Sequence, residues 1–234
     1  PNSKFCMKTI SKISAIALCM IAGMPHALGK EASPEVGFLR IINAITQGHG
    51  TTRVLIDGED LYPKGYQLGQ CSGGIGLAAG SHTVTFEKNG VKSGTTKIDL
   101  PAGETISLIG FAEKIPTDDD HARPRWMTKI LKLKQSDPER GYRMTLLSVC
   151  EADEMTIDTS IADKTIATAH VKRLKSAHID LGVSRNEAMI KVGGKIITTI
   201  SPDEPGSHVV VLYQDEAGKV RALTFFDPKF VIAG

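Results

Sequence analysis

From residue 39 onward the chain is cut into short runs in which apolar and polar residues alternate, each run ended by a turn-forming pair. Leu39-Arg40-Ile41-Ile42-Asn43-Ala44 is one run, and Arg53-Val54-Leu55-Ile56 ends in Asp57-Gly58. His82-Thr83-Val84-Thr85-Phe86-Glu87 leads into Asn89-Gly90, the strongest short-range hairpin signal. Thr96-Lys97-Ile98-Asp99-Leu100, the turn Pro101-Ala102-Gly103-Glu104 and Thr105-Ile106-Ser107-Leu108-Ile109 follow. A period of two places alternate side chains on opposite faces, and strands at this spacing indicate a sandwich or barrel. The best candidate for a helical period is 160–178, and its Thr and Ile content suits a strand equally well.

The same pattern recurs. Leu39–Ala44 matches Met144–Val149, Val54–Asp57 matches Met155–Asp158, and Gly103–Ile109 matches Gly206–Leu212, at offsets of 105, 101 and 103. Three matches in order at a nearly constant offset indicate a duplicated domain. The second copy closes with a short turn at 215–219 and a return strand from Val220, which aligns with a return strand at 125–131 in the first copy. Residues 112–124 are therefore an enlarged hairpin loop of the first copy. The expected organisation is all-β, two tandem immunoglobulin-like β-sandwiches of about seven strands each, at 36–134 and 141–234. They are joined by a linker at 135–140 within the turn-forming run Gln135–Gly141.

The N-terminus reads as an export signal over residues 1–29. Lys8 and Lys12 flank an expected start at Met7, residues 13–24 run apolar, Pro25 breaks the run, and Ala27-Leu28-Gly29 supplies small residues for cleavage. The apolar run is short for a membrane span; the alternative is a short buried helix. Leu18 before Cys19 is large for a lipid-attachment site. The first 29 residues hold three lysines and no acid, so the remainder has 25 basic against 26 acidic residues. A near-neutral body gives no electrostatic reason to expect nucleic acid as partner. The expected location is periplasmic or extracellular, with membrane contact only through the cleaved signal. Cys71 and Cys150 fall in different copies; they either pair in an oxidising compartment or remain separate buried thiols.

In the first copy Arg40-Ile41-Ile42-Asn43-Ala44, Val54-Leu55-Ile56-Asp57-Gly58, Leu68-Gly69, Ser72-Gly73, Ala79-Gly80-Ser81-His82-Thr83-Val84 and Leu100-Pro101-Ala102-Gly103-Glu104-Thr105 occur in order. This set resembles the Ig-like domain-of-unknown-function 4397 family of secreted bacterial proteins. The two-domain layout behind a signal, closing on Val209–Tyr213, a Gly-Lys turn and a last strand, is similar to the AlgF family, periplasmic accessory proteins of alginate O-acetylation. The resemblance covers about 37–134 well and 142–228 loosely, and its motifs are turn glycines and strand patterns, which identify a fold better than an activity. It implies a non-catalytic envelope adaptor for exopolysaccharide modification or assembly, with envelope proteins or polysaccharide as partners.

Chemistry-bearing clusters are few. Cys71-Ser72-Gly73-Gly74-Ile75-Gly76 is glycine-rich, but a phosphate cradle needs a helix N-terminus behind it, so it reads as a bulge or turn. Ser81 and His82 are strand neighbours pointing to opposite faces, and no Gly-x-Ser-x-Gly elbow exists. Asp118, Asp119, Asp120 and His121 are the one dense set of potential metal ligands. They read as a solvated acidic loop or, alternatively, as the centre of a metal-dependent hydrolase. Arg123, Arg125 and Trp126, the single tryptophan, form either a platform for a sugar or partner, the basis of a carbohydrate-binding alternative, or a strand packed into the core. His49, His170, His178 and His208 are scattered, His49 at an expected loop tip. The sequence leads to a binding protein with no catalytic residues and no cofactor. Its candidate binding residues are Asp118, Asp119, Asp120, His121, Arg123, Arg125 and Trp126.

Overall fold

The structure, a computed structural model, describes residues 35–116, 125–133, 141–183, 185–201 and 206–227. The expected signal at 1–29 and linker at 135–140 lie outside them. The described residues form sixteen strands, numbered in chain order, and no helix. In the N-terminal half one sheet runs β3 (Glu59–Asp60), β2 (His49–Ile56), β5 (Gly80–Asn89), β6 (Val91–Leu100). The other runs β4 (Ile75–Ala78), β1 (Val36–Ala44), β7 (Thr105–Ile115), β8 (Arg125–Leu133). A single parallel pairing, Lys92 with Met127, joins β6 to β8. In the C-terminal half the corresponding sheets are β11 (Lys164–Lys172), β10 (Glu154–Ile161), β13 (Ala188–Val192), β14 (Lys195–Ile200), and β12 (Ser176–Gly182), β9 (Tyr142–Ser148), β15 (Gly206–Gln214), β16 (Val220–Asp227).

Adding eight to every strand number of the first half reproduces the neighbour order of the second. In both, the first strand lies parallel to the seventh, β1 on β7 and β9 on β15, and the eighth lies antiparallel outside it. The all-β sandwich expectation holds, with eight strands in each half instead of about seven. The order differs from that of an immunoglobulin constant domain, where strands one, two, five and four share a sheet. Here strands one and four lie opposite two and five.

The predicted turns do their local work. Asp57 and Gly58 both take positive φ, 52° and 88°, the type I′ geometry that matches the strand twist of the β2–β3 hairpin. Gly193-Gly194 does the same between β13 and β14. The ambiguous stretch 160–178 is strand, holding all of β11. His49 opens β2 opposite Asn89, not a loop tip. The enlarged loop begins later than residue 112, because β7 continues to Ile115 and Ala112, Glu113, Lys114 and Ile115 pair with Thr128, Met127, Trp126 and Arg125.

Three apolar clusters explain the burial. One lies between the sheets of the N-terminal sandwich and includes Leu39, Ile41, Val84, Phe86 and Leu108. A second does the same in the C-terminal sandwich with Met144, Leu146, Ile157, Ile190 and Val210. The third joins the two sandwiches: Ile42, Ala44, Ile109, Phe111 and Leu133 pack against Leu147, Val149, Val209 and Val211. β1, β7, β9 and β15 are thus covered on both faces, and Leu39–Ala44 and Val209–Leu212 are buried without interruption. Continuous burial of this kind marks strands in the middle of a stack.

The faces also correct the register of one repeat match. Leu39 pairs with Ile106, and Met144 with His208. With Leu39 matched to Met144, β7 maps onto β15 at an offset of 102, not 103. The offset of 103 sets Ile106 and Leu108, which face their own core, against Val209 and Val211, which face the other sandwich. A slip of one residue turns every side chain to the wrong face.

At the corrected register Gly110 is the counterpart of Leu212. A methyl group on Gly110 would lie 2.5 Å from the ring of Phe86, which is fully buried. Gly110→Ala is therefore expected to cost about 1–3 kcal/mol, the usual penalty for overpacking. The corresponding fall in thermal midpoint is about 2–4 °C per kcal/mol for a chain of this size. Gly73→Ala, where no atom lies within 4 Å and φ is not positive, should melt like the parent. Circular-dichroism melts of the two variants check this; equal midpoints would show that Phe86 does not hold the position.

Candidate functional site

Asp118, Asp119, Asp120, His121 and Arg123 lie outside the described residues. Arg125, at the first position of β8, is exposed. Trp126 is partly buried and packs against the N-terminal core. Of the expected binding set only Arg125 and Trp126 lie among the described residues, at neighbouring positions of β8. Cys71 and Cys150 are separate thiols, the first in the layer between the sandwiches and the second in the C-terminal core. Gly73 and Gly74 lead into the strand β4.

The structure gathers chemistry where the sandwiches meet. A cleft of about 390 Å³ opens there, lined by the β1–β2 loop, β7, the β9–β10 loop and the β15–β16 turn. Part of its lining comes in equivalent pairs: Ala44 with Val149, Thr46 with Glu151, Phe111 with Tyr213, and Ala112 with Gln214. The first two pairs are 105 residues apart and the last two 102, the offsets of the strands that carry them. The cleft therefore straddles a pseudo-two-fold relation between the halves. Its walls are nevertheless unlike: the C-terminal members are a carboxylate, a phenol and an amide, and the N-terminal members a hydroxyl, an aromatic ring and a methyl.

Contacts around the cleft fix the two halves against each other. The Arg173 guanidinium, from the segment after β11, donates from Nη1 to Glu113 Oε1 of β7 at 3.0 Å and from Nε to the Cys150 carbonyl at 2.9 Å. It also lies 5.9 Å from the centre of the Phe111 ring. In the opposite sense Tyr213, the counterpart of Phe111, packs over Gly69, where a methyl group would stand 2.6 Å from Tyr213 Oη. Arg40, 4% exposed, places its guanidinium 4.9 Å from the ring centre of Phe225. Asp215, at the rim, is held by Arg221 at 2.8 Å and by the backbone N–H groups of Ala217 and Lys219. Arg221 first and then these amides keep its carboxyl below the usual range. Gln214 Oε1 accepts from Glu151 N at 3.0 Å, so both groups reach the cleft from fixed backbones. Behind the β1–β2 loop the buried Lys88 ammonium donates to the Ile45 carbonyl at 2.7 Å. Burial lowers its pKa, and Glu216 opposes that shift.

A second polar constellation links sequence-distant residues. His82 Nδ1 lies 2.6 Å from Asp57 Oδ2 and Nε2 lies 2.7 Å from the Ala78 carbonyl, while Asp57 Oδ1 accepts from Thr83 N at 2.7 Å. Neither partner of the ring can donate, so both bonds exist together only when the imidazole carries both protons. The Ala78 carbonyl and then Asp57 raise the His82 pKa; Thr83 N–H and then His82 lower that of Asp57. An imidazole committed at both nitrogens does not serve as a general base. This pair is a staple between the β2–β3 turn, the end of β4 and β5. Nothing local in the sequence marks it, because 25 residues separate its members.

Among the described residues no group of three or more His, Cys, Asp or Glu side chains could hold a metal ion, and no helix is long and apolar enough to cross a membrane. No protein-family model matches the chain, and no curated protein matches it significantly.

The staple sets a pH dependence. A raised histidine contributes stability fully below its ordinary value of 6.5, and the contribution is lost as pH rises through the raised folded-state value. A lowered aspartate contributes above 3.8 and loses its contribution as pH falls through the depressed value. The melting-temperature gap between the parent and His82→Ala should therefore be widest between the two folded-state values, for example at pH 5.5, and narrow by pH 9. A gap independent of pH would show that the charge on His82 plays no part.

Proposed function

We propose that this chain is an exported, non-catalytic binding protein of the bacterial cell envelope, acting as an adaptor in exopolysaccharide modification or assembly. The observation that carries the reading is the cleft between the sandwiches. Its wall groups sit on a packed scaffold at the junction of two structural units, where ligand sites are concentrated. The groups are hydrogen-bonding and aromatic: the Asp215 carboxylate is tied to Arg221, and burial pushes the Tyr213 phenol up, away from ionisation. This is the chemistry of recognition more than of bond making.

The resemblance to the alginate accessory proteins supports the polysaccharide connection, and the N-terminal signal pattern supports export to the periplasm or cell surface. The strand-by-strand correspondence of the halves supports origin by duplication of one sandwich. The packing of Trp126 against the core moves weight away from a carbohydrate module centred on that residue. The hydrolase alternative rests on Asp118 to His121, and a stoichiometric metal in the purified protein would favour it.

The test is affinity capture of the tagged full-length chain from cross-linked envelopes of a polysaccharide-producing host. The adaptor reading expects polymer-modifying or polymer-synthesising proteins, or the polymer itself, in the eluate. Glu151→Lys combined with Glu216→Lys, both at exposed rim positions, should cut their recovery at least tenfold while leaving the melting temperature within about 2 °C, the range of ordinary surface changes. Undiminished recovery would move the partner site away from the cleft; an eluate free of polymer and of polymer enzymes would remove the adaptor reading.

A further inference from the structure

We infer that Asn89-Gly90, the turn at the tip of the β5–β6 hairpin, is a site of spontaneous covalent modification, where the asparagine loses ammonia through a succinimide and becomes isoaspartate or aspartate. The site is independent of the adaptor reading. Ring closure needs a side-chain amide free to turn, a backbone nitrogen free to attack it, and no side chain on the attacking residue to obstruct the approach. Asn89 and Gly90 are both exposed, and Gly90 takes φ 83°, open backbone that glycine adopts without strain. Lys88 pairs with Val91, so rotation about these two residues leaves the β5–β6 ladder closed. Among the described residues no hydrogen bond holds the Asn89 side-chain amide or the Gly90 N–H.

The chemistry needs only water. Gly90 N attacks Asn89 Cγ: the N–Cγ bond forms, the Cγ–Nδ2 bond breaks, and the Gly90 N–H proton departs with the ammonia. Water then opens the imide ring. Cleavage of the new N–Cγ bond leaves aspartate. Cleavage of the bond from Gly90 N to the Asn89 carbonyl carbon leaves isoaspartate, whose main chain runs through the side chain and is longer by a methylene. The other candidates are shielded. Asn43 is buried, its Nδ2 donates to the Tyr66 carbonyl at 3.0 Å, and its Oδ1 accepts from Ile45 N at 3.1 Å. Asn186 precedes Glu187, whose side chain obstructs the attacking nitrogen. Asp57-Gly58 sits at a turn too, but Thr83 N–H and His82 hold the Asp57 group as a carboxylate, which is not an electrophile for an amide nitrogen.

The position of the turn gives the modification a consequence. Asn89 pairs with His49 of β2, and a methyl group on Gly48 would collide with the Asn89 carbonyl and stand 2.9 Å from Val91 Cγ2. Gly48 and His49 in turn line the cleft between the sandwiches. The hairpin tip is thus packed directly behind one wall of that cleft. Aspartate changes the charge at the tip and leaves the backbone as it was. Isoaspartate lengthens the backbone at a point with no slack, so Gly48 and His49 must move.

The test incubates isotope-labelled full-length protein at 37 °C and pH 8 beside a synthetic peptide of residues 85–94, followed by peptide mapping with mass spectrometry. Asn89 is expected to show the mass gain of amide-to-acid conversion at a rate within tenfold of the peptide's, with Asn43 and Asn186 intact and no isoaspartate at Asp57. Asn89→Gln, whose longer side chain closes a ring far less readily, should stay unconverted. Conversion of Asn89 more than tenfold slower than in the peptide overturns the site, since the fold would then be shielding it. Conversion at Asn43 or Asn186 as fast as at Asn89 overturns its selectivity. In amide spectra the separated isoaspartate form should shift Gln47, Gly48 and His49 relative to the Asn89→Asp variant; coincident spectra at those residues overturn the coupling to the cleft.

Discussion

Everything in this molecule depends on the apolar layer between its two sandwiches. β1, β7, β9 and β15 have no solvent face: one side belongs to the core of their own sandwich and the other to the shared layer of Ile42, Ile109, Phe111, Leu147, Val209 and Val211. Burying a side chain of this size is worth about 1.5–3 kcal/mol relative to exposure, so the layer is a major term in the cohesion of the whole. It also fixes where polar groups can go. At the boundary Arg40 and Arg173 lay their guanidinium groups near Phe225 and Phe111, Arg173 also bonding Glu113 and the Cys150 carbonyl, and the polar lining of the cleft is displaced to the rim, where the loops leave the layer.

The layer explains what could be read from the sequence and what could not. Alternation and turn pairs located β1, β2, β5, β6 and β7, since each of those signals is local. The matching patterns of the two halves, which share one strand order, were visible for the same reason. The one-residue misalignment at Gly103–Ile109 arose because a strand buried on both faces loses the contrast that sets register: Ile106, Leu108 and Ile109 are all apolar, and so are Val209, Val210 and Val211. The end of β7 was misplaced because the first copy was measured against the second, whose turn starts at 215; the ladder to β8 and the ion pair to Arg173 show that the strand runs on.

The candidate site was less legible than the fold. The cleft is made from four segments spread over 44–218, and none carries a motif. The Asp57–His82 staple shows the difficulty: His82 drew attention through its sequence neighbour Ser81, which points away, while its partner lies in the preceding hairpin turn. Conversely Trp126 stood out by rarity, and its place against the core shows that rarity in composition carries no information about exposure.

Two sandwiches in one chain differ from two in a homodimer in a way that matters for the cleft on the pseudo-two-fold relation. A homodimer would have to present the same side chain on both walls, and each substitution would appear twice. Covalent linkage frees the walls to diverge, as Phe111 has from Tyr213 and Ala112 from Gln214. A cleft with unlike walls can tell one end of a ligand from the other, so a polymer or peptide threaded through it would be held in a single direction.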